Sequence, residues 1–266
     1  MGRVHVGDAV TVFTSEDRLR LRTELLEYAA QDPRISGAAL TGSAATDQED
    51  RWSDIDLAFG VADAAALPAV MSDWTAHLYD RYSVLHHMDI TFGGWIYRVF
   101  LLPNTLQVDL AFVAAAEFRA LSPSFRLVAG EAKEPWNPPP QSAAELIGYG
   151  WLYALHVRSC IARGKFWQAE YMISGVRDQV LALACIRHDL PAIHGRGMDR
   201  LPSELTASLE EALVRKLEAS ELWRAFQVAV AGLLREIHSV DEPLAERLRD
   251  ALMSLSQDTQ QRRARI

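Results

Sequence analysis

The chain has 266 residues, 49% hydrophobic and 23% charged, enough apolar material for one large or two ordinary globular domains. Its 27 Lys and Arg stand against 35 Asp and Glu, a net charge of −8 and the reverse of the basic balance carried by a nonspecific nucleic-acid binder. Two Cys do not make a disulfide framework, and no apolar run approaches the roughly 20 residues of a membrane helix.

The opening "MGRVHVGDAV" lacks a long apolar h-region, which with the Cys count predicts a cytoplasmic protein. "SEDRLRLRTELLEYAA" (15–30) reads as a helix, with Ser15 as N-cap and Leu19, Leu25, Leu26 and Ala29 as its apolar stripe. "ISGAALTG" (35–42) is a strand running into a turn, and "DIDLAFG" (54–60) is a second strand. A helix follows in "AAALPAVMSDWTAHLYDRY", where Pro68 is tolerated in the first turns. Gly93-Gly94 and Pro103-Asn104 then separate three β-rich runs, "SVLHHMDITF", "WIYRVFLLP" and "TLQVDLAFV".

Composition changes after residue 118. The stretch 119–140 is rich in Pro and Gly with little periodicity, and is expected to be a surface linker. Beyond it the spacing becomes helical. The stripes are Tyr149, Leu152, Tyr153, His156, Val157, Cys160 and Ile161; then Met172, Val176, Val180 and Leu183. Further stripes are Leu205, Leu209, Leu213 and Leu217; Leu222, Phe226, Val230, Leu233 and Ile237; and Leu244, Leu248, Leu252 and Leu255. The expected class is α+β: a mixed-sheet domain over 1–118, a linker over 119–140, a five-helix bundle over 141–258 and a frayed tail over 259–266.

The chemistry is written in "TGSAATDQEDRWSDIDLAFG" (41–60). Asp is depleted in strands, yet Asp54 and Asp56 sit at i and i+2, on one face of the second strand. Two like charges side by side call for a cation between them. Asp109, in "LQVDLAF", is again an acid inside an apolar strand. If the strands are neighbours, the three carboxylates meet at one sheet end and suit Mg²⁺, which takes carboxylate and phosphate oxygens. Gly42-Ser43 supplies the complement. Gly lets a backbone approach an anion, and a helix continuing through "SAATDQEDR" would give Ser43 an N-terminal position that favours phosphate.

Gly42-Ser43, a ten-residue spacer, Asp54-Ile55-Asp56 and the later strand Asp109 together resemble the nucleotidyltransferase superfamily with the polymerase β-type catalytic fold. Within it the layout is similar to bacterial antibiotic nucleotidyltransferases acting on aminoglycosides and lincosamides, which carry a C-terminal helical domain. The stretch 162–188 resembles that domain. The resemblance implies that Asp54 and Asp56 bind two Mg²⁺ ions and that Asp109 binds the catalytic one. It implies that Gly42 and Ser43 hold the β- and γ-phosphates of ATP or another NTP. The reaction would move a nucleoside monophosphate, AMP as the first reading, to a hydroxyl of a small molecule and release pyrophosphate. An aminoglycoside-like, cationic acceptor is the first guess, which makes antibiotic resistance the expected role. The resemblance also makes Asp109 a candidate to help deprotonate the acceptor hydroxyl; several relatives use a separate carboxylate as general base, and Glu145 and Glu170 are the candidates here. The protein is expected to be a monomer or homodimer without nucleic-acid or membrane partners. Two other readings stand beside this one: a protein-adenylylating enzyme of toxin–antitoxin type, and a non-catalytic nucleotide-binding regulator.

Blander roles are available for several residues. Arg51, Arg98 or Arg119 could neutralise the acids in a structural ion-pair network. His86 and His87 face opposite sides of a strand and do not chelate one ion together. His156 is expected in the helical core, and Cys160 and Cys185 as buried small apolar residues.

Overall fold

The structure is a computed structural model and describes residues 12–136, 139 and 141–257, so the expected frayed tail over 259–266 lies outside the described residues. The chain divides into two compact units, Met1–Pro138 and Pro139–Ile266. No described helix is long and apolar enough to cross a membrane. The class is α+β: a mixed six-stranded sheet in the first unit and helices in the second.

The first unit opens with α1 (Ser15–Gln31), whose N-cap is Thr14 rather than Ser15. Thr14 and Asp17 form a reciprocal capping box, so the acid three residues on selects the cap. The buried face of α1 is Arg18, Leu21, Leu25 and Ala29; Leu19, expected in the stripe, is 54% exposed. Next come β1 (Ile35–Thr41), a single turn α2 (Gly42–Ala45), β2 (Ile55–Val61) and α3 (Leu67–Tyr82). Then follow β3 (His86–Phe92), β4 (Trp95–Leu101), β5 (Gln107–Ala114) and β6 (Phe125–Gly130).

The strand order is β3-β4-β5-β2-β1-β6. Only β2 and β5 run parallel; the other neighbours are antiparallel. Strand parity sorts the two faces. Leu57, Phe59, Leu110 and Phe112 pack with Leu21, Leu25, Trp74 and Leu78 of α1 and α3. The opposite face carries Ala39, Ala58 and Ala111, joined by Trp95 and Phe118 in a smaller cluster. Phe118 can close on that face because Gly60 lacks a Cβ, which would sit 2.9 Å from its ring.

The 119–140 stretch is not wholly a linker, since it contains β6, paired antiparallel with β1. Residues 126–130 are exposed, so this edge strand is held by backbone bonds and needs no alternating apolar pattern. That is why its composition resembles a loop.

The second unit holds α4 (Ala143–Ala162), α5 (Phe166–Arg187), α6 (Ser203–Glu210), α7 (Ala219–Val240) and α8 (Glu242–Leu255). α7 supplies the centre of the core, burying Leu222, Phe226, Val230, Leu233 and Ile237. The inward face of α4 differs from the expected stripe. Leu146, Ile147, Gly150, Ala154, Val157 and Ile161 are buried, whereas Tyr149, Leu152 and His156 are exposed. Small residues mark this contact: a Cβ on Gly150 would stand 2.8 Å from Leu233, so α4 packs closely on α7 only along that line. His156 is therefore not a core residue. The stripe beginning at Leu205 also stops early, because α6 ends at Glu210 and leaves Leu213 and Leu217 outside it. Cys160 and Cys185 are free and buried, as small apolar residues would be.

Candidate active site

The acids are placed by the parallel pairing of β2 with β5. Its register sets Asp56 directly opposite Asp109, on the face away from α1 and α3. Asp54 differs from the expectation: β2 begins at Ile55, so Asp54 lies just before the strand rather than inside it. Ile55 pairs with Val108, so the residue beside Asp54 is Gln107, whose Nε2 donates to Asp54 Oδ2 at 3.2 Å.

Asp109 is strongly perturbed. Burial, and then the charge of Asp54, raise its carboxyl from the ordinary 3.8 to about 6. Its Oδ1 is buried without a hydrogen-bond partner among the described residues. Such an orphaned oxygen is costly in a folded protein, which makes Asp109 a candidate functional residue. Tyr97, two pairs further along the β4–β5 register, feels the same environment: burial first and Asp109 second raise its phenol.

Gly42 closes the other side. Its φ is +59°, in the left-handed region, and a Cβ there would lie 2.0 Å from Asp56 Oδ2. Only glycine gives this turn while leaving the Asp56 carboxylate against bare backbone. The Ser43 carbonyl accepts from the amides of Thr46 at 3.3 Å and Gln48 at 3.0 Å, which tightens the turn. α2 then stops at Ala45, so the helix expected through "SAATDQEDR" is one turn long. Its dipole is correspondingly small, and backbone approach at Gly42 becomes the stronger argument for an anion here. Arg126 of β6 adds a cation: it donates to the Ala44 carbonyl at 2.7 Å and to both Asp47 oxygens at 2.9 and 3.0 Å.

Asp54, Asp56, Asp109, Gly42 and Ser43 thus belong to one end of one sheet. Asp56 and Asp109 share a face, and among the described residues no three His, Cys, Asp or Glu form a ready metal cluster. Mutual repulsion opposes closer approach of like charges. The residues nevertheless fit a divalent cation. An oxygen-only donor set, an orphaned Asp109 oxygen and a carboxylate pressed on glycine suit a hard ion.

The arginines considered as neutralising partners are engaged elsewhere. Arg98 forms a two-pronged pair with Asp89, Arg119 binds Glu117, and Arg51 lies over the rings of Phe13 and Trp52. His87 bonds Tyr79 while His86 is exposed, in line with strand parity. Glu145 and Glu170 lie in the second unit. Glu145 closes a capping box with Ser142 at the start of α4, and Glu170 accepts from the Ser174 hydroxyl at 2.7 Å. Sequence reasoning missed Gln107 and Tyr97. Gln107 could be found from parity, being two residues before Asp109; Tyr97 could not, because its position depends on the β4–β5 register.

No family model matches the chain, and no curated protein matches it. Among solved structures it is similar to an aminoglycoside 6-adenyltransferase from Bacillus subtilis, at 12% identity and a TM-score of 0.39, over 93% of this chain and 100% of that one.

Proposed function

We propose that this chain is a nucleotidyltransferase that moves a nucleoside monophosphate, AMP from ATP as the first reading, to a hydroxyl of a small molecule and releases pyrophosphate. The observation that carries this reading is the pairing of Asp56 with Asp109 across two parallel strands, beside a glycine whose missing Cβ leaves room for the Asp56 carboxylate. Two carboxylates side by side on neighbouring strands form an oxygen donor set of the kind a hard divalent cation takes. The cation is Mg²⁺, held by Asp54, Asp56 and Asp109. The chemistry supplied by bound Mg²⁺ is neutralisation of charge on the triphosphate oxygens.

The chain's own groups do the rest. The Gly42 turn lets phosphate oxygens approach backbone amides, and the Ser43 hydroxyl offers a further donor. Arg126 stands at that turn and can exchange Asp47 for phosphate. Asp109, the acid of the three whose Oδ1 is buried and unpartnered among the described residues, is the first candidate for taking the proton of the acceptor hydroxyl. The acidic face and the net charge of −8 favour a cationic acceptor, and an aminoglycoside is the first candidate.

The test is a pyrophosphate-release screen with each NTP and Mg²⁺ against a panel of aminoglycosides and lincosamides. Release should depend on one acceptor class and vanish in Asp54→Ala and Asp56→Ala with the fold retained. Full activity in either variant would remove the metal role.

A further inference from the structure

Between the Gly42 turn and β2 the chain runs through residues 46–54 without regular structure, and this spacer delivers Asp54 to the sheet. Its path is fixed from outside by one residue of α1. Arg18 is only 6% exposed. Its Nη1 donates to the carbonyls of Asp50 at 2.6 Å and Ser53 at 3.1 Å, and its Nε pairs with Glu49 Oε1 at 3.1 Å. Between those anchors the loop is closed on itself: Asp50 Oδ1 accepts from the Trp52 amide at 2.8 Å and the Ser53 hydroxyl at 3.1 Å. Arg22 also pairs with Glu49, at 2.7 Å, but the contacts described for it do not extend to the spacer's carbonyls.

A buried guanidinium is an expensive way to fill a helix face that Leu21, Leu25 and Ala29 otherwise line. What it gains here is direction. A planar fork fixes the positions of several acceptors at once, which neither an apolar side chain nor an ammonium does. Its contacts fall on Glu49, Asp50 and Ser53, the last being the residue bonded to Asp54.

We propose that Arg18 is a positioning residue for the cation site: by clamping residues 49–53 onto α1 it sets the height and direction of the Asp54 carboxylate relative to Asp56 and Asp109. The inference rests on the metal reading of those acids, and adds that the outer support of the site comes from α1. Outer-shell residues that orient metal ligands typically change affinity by about 10–100-fold when removed.

The experiment measures Mn²⁺ binding to the full chain by the loss of the free-ion EPR signal, with thermal melting alongside. Wild type should bind Mn²⁺ and Asp54→Asn should bind it far more weakly. Arg18→Met should weaken binding by about 10-fold or more, whereas Arg22→Met, which loosens only Glu49, should bind within about twofold of wild type. Arg18→Lys keeps the charge but not the fork. It decides the matter if Arg18→Met does not fold: it should melt near wild type and still bind several-fold more weakly. Wild-type affinity in a folded Arg18 variant, or an equal loss in Arg22→Met, overturns the role of Arg18 while leaving the metal site standing. A wild-type protein that binds no Mn²⁺ overturns the metal reading and this inference with it.

Discussion

Replacing Asp109 by Asn should stabilise the metal-free protein at alkaline pH and do little in acid. Burial, and behind it the charge of Asp54, hold the Asp109 carboxyl near 6 against an ordinary value of 3.8. The folded chain therefore keeps this proton more tightly than the unfolded chain. Below 3.8 both states are protonated and the group's contribution to stability is complete. It is lost as pH rises through 6, because the folded state must then keep a poorly solvated carboxylate ionised beside a second one. Each pH unit across that interval removes about 1.4 kcal/mol, so the loss by pH 8 is at most about 3 kcal/mol. Asn has nearly the shape of the protonated acid and no charge to desolvate. Urea unfolding of wild type and Asp109→Asn in EDTA, at steps from pH 4 to pH 8, should give a stability difference that widens towards alkaline pH by about 2–3 kcal/mol. Asp54→Asn should narrow the span by removing the second cause of the shift. A difference that stays flat with pH would refute the burial and the coupling together.

Two further substitutions test the frame around the acids. Gly42→Ala forces a Cβ towards Asp56 Oδ2 at a φ of +59° and should cost about 1–2 kcal/mol or more in urea unfolding, with pyrophosphate release lost. In the second unit, Glu236 is buried and accepts from the Arg187 guanidinium at 3.0 and 2.9 Å. Glu236→Ala leaves that charge partly buried without its partner and should cost about 3 kcal/mol, read as a lowered melting temperature, while Mn²⁺ binding by the first unit is unchanged.

Asp56 and Asp109 were legible because an Asp inside an apolar strand breaks the local rule; Asp54, expected inside the second strand, falls just before it. Parity could not show that β5 lies beside β2, or that the pairing is parallel; the facing of Asp56 with Asp109 comes from that register. β6 was hidden for the opposite reason. An exposed edge strand is held by its backbone, so "FRLVAG" carries no alternating signal. On α4 the bulky Tyr149 and Leu152 suggested the wrong face, because the helix packs through Gly150 and Ala154. The support of the spacer by Arg18 was equally unreadable, since a buried Arg in a helix with other charges looks like a solvated residue until its carbonyl partners are placed.

The most direct measurement is a crystal structure grown with Mn²⁺ and a non-hydrolysable ATP analogue, with diffraction recorded for the anomalous signal of manganese. The account predicts an anomalous peak about 2.2 Å from carboxylate oxygens of Asp56 and Asp109, with the triphosphate against the Gly42 turn. Manganese or nucleotide seated elsewhere, with these carboxylates coordinating nothing, would contradict it.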